Sequence, residues 1–463
     1  MVTLADWIPD PGLRAQAPSG ASRLVSADGR QEQEVAGWLA GGPALVTGDN
    51  LAVLGQLTEA GYPLVQLIYI DPPYNTGNTF AYEDNRRTSE GSAATPQLRG
   101  LARRHTEWVA MMRPRLVAGA RLLDRTGVIY ASIDHNSVHV LRLLLDEVFG
   151  PDNFIAELSV SLNPKGRQLG AFFATSHEYL LVYAKDIRHC TLHPSSTEDV
   201  RPSDFPHEDE HGRYRLLPLR NTNKKFNPST SPTLHYPLYG NAGTGQVSHE
   251  HFEGSATITP VFGDGQPAVW RWSAAKVAAS RDQLQARVVR GRRGPRVDVY
   301  QKDRWSPERT KKMSSVWLST QVGSTDSAVA ELKEELGDVF ESPKPVRLLR
   351  RILTTMPDDI RVLDFFAGSG TTAVAVETQN AADDGARQYL LVEDVRAPLP
   401  GSKAARGGYA RVCDVTAARM RKSLQQHRPT EFLRVAELAP LPRPAEEPIE
   451  PPAATSKRNR RSM

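Results

Sequence analysis

Cysteine is scarce in this sequence: Cys190 and Cys413 are the only two among 463 residues. Two cysteines this far apart exclude a disulfide framework and a cysteine-based zinc site. No stretch approaches the roughly 18 consecutive apolar residues that a membrane-spanning helix needs. The first residues, MVTLADWIPDPGL, lack the basic flank and the apolar core of a secretion signal. We therefore expect a cytoplasmic protein without a membrane partner, and no metal site.

Positive charge is concentrated in two places, although the net charge of the chain is only +4. Residues 281–312 are rich in arginine and lysine, with Tyr300 and Trp305 between them. This pattern is typical of a nucleic-acid surface, and a solvated charged face is the alternative. The second place is SKRNRR at 456–461, after a proline-rich stretch. We predict that this tail is an unstructured arm.

Residues 45–150 alternate between short buried strands and amphipathic helices. The runs ALVT, LVQLIYI and GVIYASI predict strands, and residues 50–60, 106–124 and 138–150 have apolar side chains at helical spacing. The alternation of strands and helices resumes at 361, where RVLDFF and then QYLLVED predict two further strands. This alternation predicts the α/β class, with parallel strands and helices on their faces.

Between these segments the sequence is rich in turn-forming and aromatic residues and has short alternating runs, which predicts a separate, irregular α+β region.

The chain also lacks a G-x-x-x-x-G-K-[ST] loop, so ATP hydrolysis is not expected. The predicted division of the chain is an N-terminal extension at 1–44, one half of an α/β domain at 45–155, the inserted region at 156–320, the second half at 321–430 and a disordered tail at 431–463.

A glycine-rich turn, DFFAGSGTT at 364–372, follows the start of the strand at 361 and leads into a helix. Glycines here let the backbone approach a ligand closely, and the helix N-terminus favours an anionic group. Glu393 ends the next strand, where a carboxylate can hold ribose hydroxyls. Taken alone, this turn is compatible with a dinucleotide, with S-adenosylmethionine or with no ligand.

The location of the turn in the chain bears on these alternatives. A dinucleotide-binding domain needs further strands after the one that ends at Glu393, and here the matching strands lie in 45–150. The sheet must therefore combine both ends of the sequence around the inserted region. This arrangement predicts that LVQLIYI and RVLDFF end side by side at the carboxyl edge of one sheet, where such folds bind ligands.

Directly after LVQLIYI the chain reads DPPY at 71–74. Two consecutive prolines end the strand because neither has an N–H to donate. The exocyclic amine of a nucleobase is a weak nucleophile because its lone pair is delocalised into the ring. Asp71 and the carbonyl of Pro72 can accept its two N–H bonds, and Tyr74 offers an aromatic face for a base taken out of the duplex. The motif therefore predicts methyl transfer to an amine held in line with an electrophilic methyl group.

DPPYNTGN followed by DFFAGSGTT resembles the amino-DNA methyltransferases of the permuted β class, and most of all the Mod subunits of type III restriction–modification systems. GVIYASIDHNSVHVLRLLLDEVFGPDNFI, ATSHEYLLVYAK and VFESPKPVRLLRRIL resemble further stretches of these proteins. The resemblance implies a Rossmann-like, S-adenosylmethionine-dependent methyltransferase fold in which the catalytic motif precedes the cofactor motif. It also implies that 156–320 is a target recognition domain.

The resemblance implies roles for individual residues. The catalytic motif consists of Asp71, Pro72, Pro73 and Tyr74. The residues expected to hold the cofactor are Asp364, Phe366, Gly368, Ser369, Gly370, Glu393, Lys344, Pro345 and Asp49. For Asp49 the alternative is a helix N-cap, and for Lys344 it is an ordinary surface lysine.

The activity implied by the resemblance is methylation of adenine N6 in a short DNA motif, with the base flipped out of the helix. Asp71 favours adenine, because cytosine-N4 enzymes usually have serine at that position. Cytosine-N4 methylation and methylation of RNA are the alternatives. The expected partners are double-stranded DNA, a second copy of the chain and a type III restriction (Res) subunit, although Mod subunits are usually longer than this chain.

Overall fold

The structure is a computed structural model that describes residues 22–26, 32–74, 96–166, 172–196, 200–291 and 294–440. These residues form two compact units. The first contains the described residues up to Pro194 and from Ser314 onward, and the second contains those within 195–313. Part of DPPYNTGN, from residue 75, and the basic tail at 456–461 lie outside the described residues.

The strands are β1 (Ser22–Ser26), β2 (Ala44–Thr47), β3 (Val65–Ile70), β4 (Leu123–Ile133), β5 (Phe154–Val160), β6 (Glu178–Ala184), β7 (Ser195–Ser196), β8 (His207–Asp209), β9 (Gly212–Pro218), β10 (Leu238–Gly240), β11 (Val247–Ser248), β12 (Ala256–Ile258), β13 (Leu284–Gly291), β14 (Gly294–Arg304), β15 (Lys311–Lys312), β16 (Val316–Trp317), β17 (Arg361–Asp364), β18 (Gln388–Glu393) and β19 (Arg434–Pro440).

The α-helices are α1 (Glu32–Ala40), α2 (Asn50–Glu59), α3 (Pro96–Leu122), α4 (Val138–Phe149), α5 (Ala274–Ala279), α6 (Ser319–Val322), α7 (Thr325–Leu336), α8 (Val346–Leu353), α9 (Thr371–Asp383), α10 (Lys403–Arg406) and α11 (Val412–His427). Short 3-10 helices lie at Pro151–Asn153, Pro202–Asp204, Pro232–Leu234 and Arg281–Gln283. In the described part of the chain, none of the helices combines the length and the apolarity that crossing a membrane requires.

The first unit is built on a ten-stranded sheet with the order β1-β19-β2-β18-β17-β3-β4-β6-β5-β16. From β19 to β4 each strand is parallel to its neighbour. By contrast, β6 is antiparallel to both β4 and β5. Two late strands, β18 and β17, lie between the early strands β2 and β3. The prediction that both ends of the sequence combine in one sheet is therefore confirmed.

The register of β3 and β17 defines the edge at which the site lies. Val362 is opposite Leu67, and Leu363 is opposite Ile68. Because the two strands are parallel, Asp71 after β3 and Asp364 at the end of β17 lie at the same carboxyl edge. The prediction that LVQLIYI and RVLDFF end side by side is thus confirmed.

Burial explains the composition of the central elements. In β3, VQLIYI, all residues except Gln66 are buried, as expected for a strand covered on both faces. Helix α4 ends at Gly150, whose φ of 87° lies in the left-handed region that favours glycine. The strands and helices predicted within 45–150 and after 361 are confirmed, except that α3 begins at Pro96 instead of 106.

The structure differs from the predicted divisions at both ends of the chain. The tail predicted to be disordered from 431 includes β19, which pairs with β1 and β2. Its backbone finds partners that are distant in sequence, and these outweigh a loop-like local composition. The extension predicted at 1–44 contains β1 and α1, where Val35 and Leu39 are buried in the core.

The inserted region is also smaller in the structure than the predicted 156–320. The strands β5 and β6 belong to the ten-stranded sheet, where Leu181 and Tyr183 are fully buried. The second compact unit covers only 195–313. The assignment of target recognition to this part of the chain stays a prediction.

The second unit contains small antiparallel sheets, the largest with the order β13-β14-β9-β8. Its core surrounds the fully buried Trp270. The hairpin of β13 and β14 begins in this core, where Leu284 and Ala286 are buried. Toward the tip, Val288 is 61% exposed, and Arg290 is exposed as well. The hairpin therefore extends beyond the core of its own unit.

Candidate active site

Three strands bring acidic side chains to the carboxyl edge of the large sheet. Strand β3 ends directly before Asp71, and β17 ends at Asp364. Strand β6 is antiparallel to β4, with Tyr179 opposite Ile133. Its first residue, Glu178, therefore reaches the same edge from the opposite direction. Ligands bind at this edge in sheets of this type.

Four residues form a hydrogen-bonded group that we call the tyrosine cluster: Tyr74, Asp71, Glu178 and Lys344. The Tyr74 hydroxyl lies 2.6 Å from Asp71 Oδ1 and 3.0 Å from Glu178 Oε2. Lys344 Nζ lies 2.5 Å from that hydroxyl, 2.9 Å from Asp71 Oδ2 and 3.4 Å from Glu178 Oε2. Because the Lys344 side chain is only 11% exposed, the alternative of an ordinary surface lysine is wrong.

The cluster combines two carboxyl groups, an ammonium and a phenol. Burial raises the pKa of Asp71, and the Lys344 ammonium opposes that rise. Burial by itself would lower the pKa of Lys344, but the carboxylates of Asp71 and Glu178 outweigh it, and the pKa is raised. Burial and the same two carboxylates hold the pKa of Tyr74 well above its usual value. Lys344 is therefore cationic, and the Tyr74 hydroxyl is a neutral donor.

Two side chains fix the backbone of the DPPY motif. Trp108 in α3 donates its Nε1–H to the carbonyl of Pro73 at 2.7 Å. Ser137, just before α4, donates its hydroxyl to the carbonyl of Tyr74 at 3.2 Å. Neither bond uses the carbonyl of Pro72. The two bonds therefore hold the backbone at Pro73 and Tyr74, next to the Pro72 carbonyl that the sequence predicts to accept a hydrogen bond from a substrate amine.

The turn after β17 depends on two glycines in the left-handed region. Gly368 has φ 52° and Gly370 has φ 76°, values that other residues adopt only with strain. The Gly368 N–H donates to Glu393 Oε2 at 2.6 Å, and its carbonyl accepts the Thr416 hydroxyl at 2.6 Å. Helix α9 begins directly after Gly370. We call residues 364–370, together with Glu393, the glycine turn.

Asp364 is bonded within the glycine turn itself. Its Oδ1 accepts the N–H of the buried Phe366 at 3.0 Å, and its Oδ2 accepts the Thr372 hydroxyl at 2.5 Å. These bonds indicate that Asp364 maintains the shape of the turn. Burial raises the pKa of Asp364 to about 7. Burial raises the pKa of Glu393 to about 8, and the nearby Asp364 adds to that rise.

The glycine turn is also connected to the tyrosine cluster. The Ser369 hydroxyl lies 3.1 Å from Thr371 Oγ1 and 3.3 Å from Nη1 of the buried Arg419. Thr371 Oγ1 in turn donates to the backbone carbonyl of Lys344 at 3.2 Å. Pro345 precedes the first residue of α8. The lysine whose ammonium contacts Asp71 is therefore attached to the turn through its backbone.

Asp49 caps helix α2 and pairs with an arginine. Its Oδ1 accepts the Ala52 N–H at 3.0 Å, and its Oδ2 lies 2.6 Å from Arg115 Nη2. The N-cap alternative is thus confirmed. The neighbouring Gly48 donates its N–H to the backbone carbonyl of Glu393 at 2.9 Å, so Asp49 also lies next to the glycine turn. Its contact with a cofactor stays a prediction.

The predicted residues therefore come together at one edge of the sheet. Glu178, Trp108 and Thr372 also belong to the site, although their sequence context does not single them out. Strand β6 is visible as a short alternating run, but nothing local in HEYLLVYA indicates its antiparallel pairing with β4. That pairing alone brings Glu178 to the edge.

The groups around the glycine turn suit S-adenosylmethionine. Asp364 and Glu393 are both 2% exposed, and buried carboxyl groups with raised pKa values gain from a ligand that brings hydroxyl or ammonium donors. Gly368 and Gly370 leave the backbone of the turn without a side chain at these two positions. A cofactor with ribose hydroxyls, an α-ammonium and a sulfonium provides the matching groups.

A protein family described as DNA methylase matches residues 65–383. The match extends over more than half of the chain and includes both the DPPY motif and the residues 364–370. The chain belongs to the DNA methylase family. Methylases of this family use S-adenosylmethionine, and the family includes both N6 and N4 methylases.

Individual relatives agree with this membership. The type II methyltransferase M.KpnI of Klebsiella pneumoniae is 32% identical over 81% of this chain and 86% of its own. The EcoPI Mod subunit of Escherichia phage P1, from a type III restriction-modification enzyme, is 32% identical over 82% of this chain and 61% of its own. The StyLTI Mod subunit of Salmonella typhimurium is 30% identical over 81% of this chain and 56% of its own. The methylase thus spans less than two thirds of the length of either Mod subunit.

A solved structure of a DNA modification methylase from Thermus thermophilus, complexed with S-adenosylmethionine, also matches. It is 15% identical, with a TM-score of 0.35, over 85% of this chain and 99% of that one.

Proposed function

We propose that this DNA methylase transfers a methyl group from S-adenosylmethionine to the N6 amino group of an adenine in a short motif of double-stranded DNA. The observation that carries the proposal is the adjacency of β3 and β17. It brings the carboxylate of Asp71 and the ring of Tyr74 to the edge at which the glycine turn begins. In this assignment the catalytic motif precedes the cofactor motif along the chain, which is the permuted order.

Asp71 has the central role in the proposed mechanism. Its carboxylate accepts one N–H bond of the adenine amine and the Pro72 carbonyl accepts the other, so that the nitrogen lone pair is directed at the methyl group. S-adenosylmethionine, when bound, would supply an electrophilic methyl group with a neutral thioether as the leaving group, and the methylated nitrogen would give up one proton. The Tyr74 ring stacks on the flipped base. Because Trp108 holds the motif through the Pro73 carbonyl, catalysis is mainly a matter of positioning.

We assign the cofactor to the glycine turn. Glu393 is proposed to accept hydrogen bonds from the ribose hydroxyls, and Gly368 and Gly370 let the cofactor approach the backbone. Asp364 supports them by holding the turn in shape. The other residues assigned to this site are Phe366, Ser369, Lys344, Pro345 and Asp49.

We propose that the target sequence is read by the unit within 195–313, through the hairpin of β13 and β14. Arg287 and Arg290 are exposed on β13, and no hydrogen bond or ion pair joins either side chain to another described residue. The sequence from 284 to 297 has no aspartate or glutamate. A two-stranded ribbon fits the major groove of B-DNA, and unpaired arginines suit phosphates and base edges.

A salt titration tests this surface. In Arg287→Ala, the negative slope of the logarithm of the DNA affinity against the logarithm of the salt concentration should become shallower by about 1. The matched control is Arg188→Ala, because Arg188 is exposed but already paired with Asp186. Equal slopes in Arg287→Ala and the wild type contradict the assignment of the hairpin.

Sequencing with modification detection tests the activity itself. DNA is isolated from cells that express either the wild type or Asp71→Ala, and modified bases are mapped by single-molecule sequencing. We expect N6-methyladenine in one short motif, and its loss in the variant. Detection of N4-methylcytosine instead of N6-methyladenine would show that the substrate is cytosine and not adenine. Folded wild-type protein without any modified base contradicts DNA methylation.

The remaining proposals concern assembly. The resemblance to Mod subunits supports a homodimer and a restriction (Res) subunit as a partner, acting in the cytoplasm. Light scattering of the purified chain should give twice the mass of one chain, and an active monomer contradicts the dimer. A target motif that is asymmetric and methylated on one strand is the expected result for a Res partner, whereas a palindromic motif argues for a type II enzyme.

A further inference from the structure

The tyrosine cluster contains one acceptor more than the proposed chemistry uses. The Tyr74 hydroxyl has a single proton to donate, yet Asp71 Oδ1 lies at 2.6 Å and Glu178 Oε2 at 3.0 Å. Its third neighbour, Lys344 Nζ at 2.5 Å, is a donor and occupies a lone pair of the hydroxyl. The phenol proton can therefore bond to only one of the two carboxylates at a time.

Both oxygens of Asp71 are engaged in this arrangement. Oδ1 accepts from Tyr74, and Oδ2 is 2.9 Å from Lys344 Nζ. Each carboxylate oxygen can accept two hydrogen bonds, but a substrate amine that takes the lone pair of Oδ1 facing Tyr74 competes with the Tyr74 hydroxyl. A buried hydroxyl that loses its acceptor is costly, and the strongly raised pKa of Tyr74 prevents it from ionising instead.

We propose that Glu178 is the second acceptor of the Tyr74 hydroxyl: when a nucleobase amine donates to Asp71, the phenol O–H turns to Glu178. The exchange needs only a rotation about the C–O bond, because both acceptors are already within reach. No proton passes from one residue to another in this step. Glu178 is thus a positioning residue, and this inference rests on the proposed methyl transfer to an amino group.

The fold accounts for the availability of Glu178. It is the first residue of β6, so the antiparallel pairing with β4 brings it to the edge where β3 ends. Its side chain is 13% exposed and lies 3.4 Å from Lys344 Nζ. The contact with Lys344 suggests the alternative to be tested, in which Glu178 only positions the Lys344 ammonium and does not accept the Tyr74 proton.

A rescue experiment separates the two roles. In Glu178→Ala, base entry leaves the phenol without an acceptor, and we expect kcat/KM for DNA methylation to fall roughly 10- to 100-fold, with the affinity for S-adenosylmethionine unchanged. In Tyr74→Phe/Glu178→Ala the aromatic ring remains but the hydroxyl is gone. We therefore expect the double variant to be more active than Glu178→Ala. A double variant that is no more active than Glu178→Ala overturns the inference.

Glu178→Gln provides a readout that does not depend on a change at Tyr74. Its amide oxygen can still accept the phenol proton, so we expect an activity within about fivefold of the wild type. A loss as large as that of Glu178→Ala overturns the inference. The matched control is Glu157→Ala, an exposed glutamate on the neighbouring strand β5, and thermal unfolding of each variant detects any loss of folded protein.

The proposed function and the role of Glu178 fail in different ways. A folded wild type that methylates no base overturns the proposed function, and with it the exchange at Tyr74. An active wild type without rescue in the double variant overturns the role of Glu178 alone.

Discussion

Two sets of carboxyl groups lie at the same edge of the sheet, partly buried in the tyrosine cluster and buried at the glycine turn, and they differ in what surrounds them. In the tyrosine cluster, the Lys344 ammonium lies 2.9 Å from Asp71 and 3.4 Å from Glu178. At the glycine turn, burial is opposed by neutral donors, and the pKa rises to about 7 for Asp364 and to about 8 for Glu393.

The difference indicates what each group is prepared for. The carboxylate that is proposed to accept an N–H bond during the reaction has a cation from the protein itself beside it. The carboxyl groups of the glycine turn lie where a cofactor with its own positive charge and hydroxyl groups is proposed to bind. We infer that the first site is organised in advance of its ligand, whereas the second is completed by its ligand.

The largest expected effect separates chemistry from cofactor binding. Asp71→Asn keeps the size of the side chain but replaces the charged group that is proposed to accept from the substrate amine with an amide. We expect the single-turnover rate of methylation to fall by about 1,000-fold or more, and the cofactor dissociation constant to stay within about twofold. A variant with weakened cofactor binding and a normal rate at saturation would contradict this separation.

The next largest effect is expected when the ammonium of Lys344 is removed from the tyrosine cluster. Lys344→Met leaves two partly buried carboxylates without an ammonium between them, which should destabilise the fold by up to about 3 kcal/mol. Because Lys344 lowers the pKa of Asp71, its loss should move the acid limb of the rate–pH profile upward. The variant should therefore recover part of its activity at higher pH. An unchanged profile, measured at saturating cofactor, argues against direct coupling of the two residues.

A smaller effect is expected at the glycine turn. Glu393→Gln keeps an oxygen acceptor but removes the charge, so the cofactor dissociation constant should rise roughly tenfold. The rate at saturating cofactor should stay within about threefold of the wild type. Titration calorimetry measures the first and single-turnover kinetics the second, with the exposed Glu431→Gln as the matched control. A fall in rate without a change in affinity would contradict the assignment of Glu393.

The smallest effect concerns stability and pH. The folded-state pKa of Glu393 is about 8, above its usual 4.5, so the folded state binds its proton more tightly than the unfolded state. This contribution to stability is complete below about pH 4.5 and is lost progressively as the pH rises through 8. Denaturation of cofactor-free protein at pH 5, 6.5 and 8 should show a shallower decline in Glu393→Gln than in the wild type.

Local patterns in the sequence are sufficient for the parts of the fold that consist of buried parallel strands. LVQLIYI and RVLDFF are short apolar runs followed by chemically distinctive residues, and their pairing follows from the general geometry of α/β sheets. The proximity of Asp71 and Asp364 could therefore be predicted from the sequence alone.

The parts that could not be predicted depend on partners far away in the chain. Glu178 enters the site only because β6 returns antiparallel to β4. Strand β19 lies next to a proline-rich stretch, and its pairing with β1 and β2 has no local signal. The resemblance to Mod subunits points to Lys344, but nothing in its local sequence indicates the contacts of its ammonium with Asp71 and Glu178.

The strand order also has a consequence for protein synthesis. Val362 of β17 pairs with Leu67 of β3, a partner about 300 residues earlier in the chain. A ribosome therefore completes the DPPY motif long before the strand that must lie beside it, and the whole unit within 195–313 is made in between. The nascent chain therefore carries Asp71 without the glycine turn until β17 and β18 have been made, and we expect activity only after that point. Chains truncated before β18 are expected to be inert.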